Sequence, residues 1–130
     1  MAAARLVIGS GCRDHVKPVL KDLHWLSVRF RAQFKVLVLT FKALNCLGLV
    51  YLKERLHPRC SAWTLRSSTE GLLVVPSLRE AQLQGTRQRA FWVVAPGLWN
   101  ALPPNVKEKN NYQTFRRHLK AALFREAFNV

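Results

Sequence analysis

His57 and Cys60 stand three residues apart, a spacing at which an imidazole and a thiol can share a metal ion or form a nucleophile–base pair. A structural zinc site takes four such ligands. The third would have to arrive from Cys46 on a helix and the fourth from His15, His24 or His118, so free thiols are expected instead. As a nucleophile and its base, the same two residues are separated by Pro58 and have no neighbouring acid to orient the imidazole. Phosphoryl transfer on two metal ions needs carboxylates gathered around them. Here Asp14, Asp22, Glu54, Glu70, Glu80, Glu108 and Glu126 are scattered, and no two adjoin. Gly9-Ser10-Gly11 lacks the Gly-Lys-Ser/Thr that completes a phosphate loop and reads as a helix stop. No catalytic, metal-binding or cofactor-binding residue and no small-molecule substrate follows from the sequence, and the chain is expected not to be an enzyme.

What remains is charge. Lys and Arg number 21 against 7 Asp and Glu, a net charge of +14 over 130 residues. Such a balance favours polyanionic partners, chiefly RNA or DNA held weakly and without sequence preference, and secondarily an anionic membrane surface. Two cationic stripes stand out. Arg116 and Lys120 lie one helical turn apart with Arg117 beside them, and Arg29, Arg31, Lys35 and Lys42 recur along a second helix. The candidate nucleic-acid-binding residues are therefore Arg116, Arg117, Lys120, Arg31, Lys35 and Lys42. Trp25, Phe34, Phe91 and Trp99 interleave with these charges but occupy core-like positions, where an aromatic ring packs more often than it stacks on a base.

The elements that must position these residues are mostly helical. Phe30, Phe34, Leu37, Phe41, Leu44 and Leu47 step along one face of a helix from about Val28 to Leu47, with Gly48 placed to stop it. Before it, Ala2–Ile8 reads as a short helix, and Asp14 can cap another that carries Pro18 in its first turn. After it, Leu49–Leu56 turns Leu49, Leu52 and Leu56 inward. Leu72–Pro76 and Ala90–Val94 are β-prone runs, read as a small hairpin across the polar segment Ser77–Arg89 with a turn at Gly85. Pro96 then opens a single helical turn closed by Pro103-Pro104, and Asn111 caps a last helix to about Phe128. The expected fold is mostly α with a small β element (α+β): one domain over 1–130, helical at 14–56, β-containing at 64–94 and helical again at 96–128.

Cys12, Cys46 and Cys60 are an odd number without close pairing, which favours a reducing, intracellular setting. The longest uncharged run, Ala90 to Val106, holds Pro96, Pro103 and Pro104, so no membrane-spanning helix is expected.

Several motifs occur in one order along the chain: Arg13-Asp14-His15-Val16, Leu23-His24-Trp25-Leu26, Leu39-Thr40-Phe41-Lys42-Ala43-Leu44-Asn45, Leu65-Arg66-Ser67-Ser68 and Leu72-Leu73-Val74-Val75-Pro76. Ala95-Pro96-Gly97-Leu98-Trp99-Asn100-Ala101-Leu102-Pro103 and Phe115-Arg116 follow, ahead of Leu119-Lys120 and Leu123-Phe124. From about Ala2 to Phe124 the chain resembles the C-terminal, post-palm segment of the reverse transcriptase polyprotein of vertebrate non-LTR (LINE-type) retrotransposons. That resemblance implies a thumb-like tail without the metal-binding aspartates, which in the family lie upstream in the palm. It also implies a basic, helical surface that tracks a template–primer duplex, and a corner that packs Trp99 and Leu102 onto neighbouring helices. The alternatives are a protein-interaction module that uses the exposed former palm-facing surface, or a product with no selected function. The chain departs from the family at Ser27 and at Gly48-Leu49, where prolines are usual, and at Trp92, where a small or polar residue is usual.

Overall fold

A computed structural model of the chain describes residues 15–59, 71–77 and 90–130, together with Ala3, Leu6, Val7 and Gly9. The six helices among them are α1 (Val16–Asp22), α2 (Val28–Leu44), α3 (Val50–Glu54), α4 (Phe91–Ala101), α5 (Pro104–Lys107) and α6 (Tyr112–Phe128). Of the helix expected over Ala2–Ile8, Ala3, Leu6 and Val7 are described and are helical, and α1 is capped at His15 rather than at Asp14. The Gly85 turn and the thiols of Cys12 and Cys60 lie outside the described residues.

α2 is the central element because its apolar positions recur at helical spacing and meet three neighbours. It packs against α4, α6 and α3. Leu37 and Phe41 are buried, and Phe30, Phe34 and Leu44 are half-buried against them. Thr40 is also fully buried, and its hydroxyl donates to the Val36 carbonyl at 2.8 Å, so its one donor is satisfied within the helix. The helix ends at Leu44 rather than Leu47, which lies beyond it in solvent.

The stop itself is at Cys46, not Gly48. Cys46 has φ 58, and the N–H groups of Cys46 and Leu47 reach back to the carbonyls of Ala43 and Lys42. This is the left-handed helix ending that glycine usually fills. Gly48 serves another purpose: a Cβ there would lie 3.2 Å from the Lys42 Cβ, so it allows close approach to the helix end. Relief of left-handed strain predicts that Cys46→Gly stabilises the protein by about 0.5–1 kcal/mol, read as a higher urea midpoint at unchanged slope. The substitution also removes the exposed hydrogen bond from Lys53 Nζ to Cys46 Sγ at 3.0 Å. That bond, and then the charge of the thiolate, raise the Lys53 pKa above its ordinary value.

The expected hairpin does not form; the described residues contain no β-strand, and the fold there is helical. Ala90–Val94 instead caps and opens α4. A run of Phe, Trp and Val suits a strand in isolation, but its neighbours decide the outcome. As a helix, the segment aligns Phe91, Ala95 and Trp99 on one face against α2, with Ala95 and Trp99 buried. Pro96 and Gly97 inside that helix cost about 4 kcal/mol together by propensity. Burying an indole of about 150–250 Å² contributes on the order of 4–6 kcal/mol, and the rest of the face adds to it. Packing therefore outweighs propensity.

The other β-prone run finds different partners. Leu73 makes a single antiparallel bridge with Pro58, in which Arg59 N–H donates to the Leu72 carbonyl and Val74 N–H to the His57 carbonyl, both at 2.8 Å. On the opposite edge, the Asn100 side chain stands in for a strand: its Oδ1 accepts from Leu73 N–H at 2.9 Å and its Nδ2 donates to the Leu73 carbonyl at 2.8 Å. Next to it, the Trp99 indole donates to the Gly71 carbonyl at 3.0 Å. Trp99 and Leu102 are both buried, so the proline-flanked corner does pack inward as expected. α4 ends at Ala101, with Leu102 extended ahead of Pro103 as expected, but it opens at Phe91 rather than at Pro96, which lies inside it. Pro103 and Pro104 also cap and open α5.

α6 follows its sequence closely. The Asn111 side chain accepts from the N–H groups of Gln113 and Thr114, and Phe115, Leu119 and Leu123 are buried. Phe115 stacks on Phe41 at 4.2 Å between ring centres, which ties α6 to α2.

Candidate nucleic-acid interface

The rotation of α2 and α6 about their axes decides which cations meet. Lys42 on α2 lies beside Tyr112 at the start of α6, and Arg31 on α2 shares a cleft with Lys120 near the other end. The two helices therefore run antiparallel, and their flanking residues form one seam. From Arg31 to Lys42 that seam extends about 16 Å at 1.5 Å per helical residue, roughly the axial length of five phosphates on one strand of a duplex.

At one end is a cleft of about 400 Å³, lined by His24, Trp25, Leu26, Arg31, Phe34, Arg116 and Lys120. The chain reaches it through a second left-handed helix ending. α1 closes with His24 at φ 52, while the N–H of His24 bonds the Lys21 carbonyl and that of Trp25 the Leu20 carbonyl. Histidine is one of the few non-glycine residues that adopt this conformation readily. The turn places the His24 ring parallel to Phe124 of α6, 5.3 Å apart with a 6° interplanar angle. It also leaves Trp25 outside the core, 37% exposed. Arg31 is held in place by its Nε, which donates to the Leu26 carbonyl at 2.8 Å, with its guanidinium 5.9 Å from the Trp25 ring centre. Arg116 and Lys120, exposed on α6, complete the rim.

Among the described residues, no carboxylate lines the cleft and no ion pair neutralises Arg31, Arg116 or Lys120. A charge in that position is screened over about 8–10 Å at physiological salt. Arg31 and Lys120 therefore face an anion seated in the cleft, and Arg116, whose guanidinium leans toward Tyr112, links the cleft to the rest of the seam.

At the far end of the seam, Lys42 Nζ and the Arg116 guanidinium lie 4.8 Å and 5.6 Å from the Tyr112 ring centre. Of the six residues expected to bind, Arg31, Arg116 and Lys120 come together at the cleft, and Lys42 joins the seam through Tyr112. Lys35 and Arg117 are exposed but line no part of the cleft. Arg29 leaves the stripe, because two residues along a helix place it about 160° from Arg31.

Trp25, His24 and Tyr112 are the participants that the sequence pattern hid. Trp25 precedes Ser27, the residue before α2 begins, so it is out of register with the helical stripe that starts at Phe30. That offset is the signal that sets it apart from the core aromatics.

Among the described residues, no three of the His, Cys, Asp and Glu side chains approach each other closely enough to hold an ion. His57 is exposed beside the bridge to Leu73. No helix among the described residues is long and apolar enough to cross a membrane. No family model, no curated protein and no solved structure matches the chain.

Proposed function

We propose that this chain is a non-catalytic nucleic-acid-binding module, derived from the post-palm segment of a LINE-type reverse transcriptase, that holds RNA or DNA weakly and without sequence preference. The observation that carries this reading is that Arg31, from one helix, lines one cleft with Arg116 and Lys120, from another, and that no described carboxylate joins them. Net charge alone would spread cations evenly. Here the packing of α2 on α6 concentrates them, and the ordered motifs between Arg13 and Phe124 supply the ancestry.

Substituting Gln at Arg31, Arg116 and Lys120 tests the reading by anisotropy titration of a labelled oligonucleotide over a range of salt. Each phosphate that is no longer neutralised lowers the logarithmic salt slope by about 0.7–0.9. The triple variant is expected to lose about 2–3 from the slope and one to two orders of magnitude in affinity at low salt. The same number of Gln substitutions at the exposed Lys17, Arg55 and Arg125 serves as the control. Equal losses in the two variants would reduce the interface to net charge.

A second reading, an interaction surface for protein, draws on Leu47, Leu49, Val50 and Tyr51. These follow one another across the α2–α3 turn with 57–71% of their surface exposed. Its signature is self-association that rises with protein concentration in the absence of nucleic acid.

A further inference from the structure

We infer that the cleft beside Trp25 accepts an unstacked base, so that this face binds single-stranded polynucleotide in preference to duplex; this rests on the nucleic-acid reading above and narrows its ligand. Three features point there. The first is an aromatic face left in solvent: Trp25 is 37% exposed while Trp99 is 5% exposed, and the core cluster includes the second and not the first. The second is the way that face is held. A left-handed backbone at His24, the His24–Phe124 stack and the Arg31 Nε bond to the Leu26 carbonyl fix the indole and the guanidinium before any ligand arrives. The third is the combination of an apolar interior, from Leu26 and Phe34, with a rim whose described charged side chains, Arg31, Arg116 and Lys120, are all cations.

A duplex has no use for such a depression. Its bases are paired and stacked, so it presents phosphates, and these could reach Arg116 and Lys120 while leaving Trp25 untouched. An unpaired nucleotide offers both a π-face and a phosphate one sugar away. About 400 Å³ lies within the range of clefts that hold small planar ligands, roughly 300–1,000 Å³. Stacking on an aromatic ring is tolerant of base identity, in keeping with a binder that reads no sequence. The ligand class is therefore single-stranded RNA or DNA, with one base against Trp25 and its phosphate between Arg31, Arg116 and Lys120.

The test uses the full chain and its Trp25→Ala and Trp25→Phe variants, with oligouridylate, oligothymidylate, a duplex of equal phosphate number, polyphosphate and polyglutamate as probes. Both single strands should bind the parent at least tenfold more tightly than duplex, polyphosphate or polyglutamate. Trp25→Ala should lose roughly 5- to 100-fold on the single strands, the range for one base stack. It should change less than twofold on polyphosphate, and Trp25→Phe should recover most of the loss. Circular dichroism of each variant reports folding, which Trp25 supports little from outside the core. If Trp25→Ala weakens all probes alike, or none, the stacking role is overturned while the broader reading stands. Polyglutamate binding that matches the single strands and depends on Trp25 overturns it in favour of an acidic protein partner. If no polyanion binds, both readings fall.

Discussion

Phe115→Ala is expected to cost 3–5 kcal/mol of folding stability, the range for truncating a fully buried aromatic ring. Phe115 has no exposed surface, stacks on Phe41 of α2 at 4.2 Å, and has Trp99 of α4 at 6.0 Å. Three helices thus converge on one ring, and its removal leaves a cavity that no single side-chain shift can refill. A domain of this size has about 5–15 kcal/mol in hand, so the loss takes between about a fifth and all of it. Urea denaturation followed by far-ultraviolet circular dichroism measures the loss. Leu39→Ala, on the opposite, 42% exposed side of α2, should change stability by only about 0.5 kcal/mol. A Phe115→Ala loss below 1 kcal/mol would contradict the packing of α6 on α2. Arg116 adjoins Phe115 and Lys120 lies one turn on, so the variant should also lose oligonucleotide affinity wherever α6 detaches. The cleft exists only while that stack does.

The two long helices were legible because their apolar residues repeat at the helical period over many turns. Leu37 and Phe41 on α2, and Phe115, Leu119 and Leu123 on α6, are buried where that period puts them. The Asn111 cap was legible for a local reason, since an Asn side chain satisfies the first free N–H groups of any helix it precedes. The middle of the chain was not. Phe91–Val94 is too short for periodicity to separate strand from helix, and the deciding contacts come from α2, some fifty residues away. The end of α2 was misplaced for the opposite reason. Gly48 carries the usual helix-stop signal, but the left-handed turn falls on Cys46, which no propensity would choose.

The interface shows the same division. Each cationic stripe can be read from its own helix, but their meeting cannot, because it depends on how two helices are rotated against each other. Arg31 reaches the cleft while Lys35, one turn further along α2, does not. Trp25 stands at a core-like position in the sequence, yet it is 37% exposed. Its exposure follows from the left-handed turn at His24, where the N–H groups of Leu23, His24 and Trp25 all bond back to carbonyls of α1 before α2 begins. Residue type announces what a side chain prefers; the turn determines what it is given.

Asn100→Leu is expected to cost about 2–4 kcal/mol, although the replacement is similar in size and more apolar. Leu73 is 2% exposed, and both its N–H and its carbonyl end on the Asn100 amide. Leucine leaves that buried donor and that acceptor without partners, each costing about 1–3 kcal/mol. Half-burial of Asn100 keeps the sum toward the lower end, because water can approach part of the gap. Hydrogen exchange at the Leu73 amide is the most direct measurement: protection should fall there before α2 or α6 is affected. Asn100→Asp separates the two bonds. A carboxylate still accepts from Leu73 N–H but faces the Leu73 carbonyl with negative charge, whereas a protonated carboxyl can donate to it. The fold therefore favours the protonated form and raises that carboxyl's pKa above its unfolded value. The stabilisation by that proton is complete below the unfolded pKa, about 3.9, and disappears as pH rises through the folded one. Relative to the parent, Asn100→Asp should thus be nearly neutral at pH 3 and clearly destabilised at pH 7. A deficit that stays constant between those pH values would mean that the Asn100 amide does not serve as the strand that Leu73 lacks.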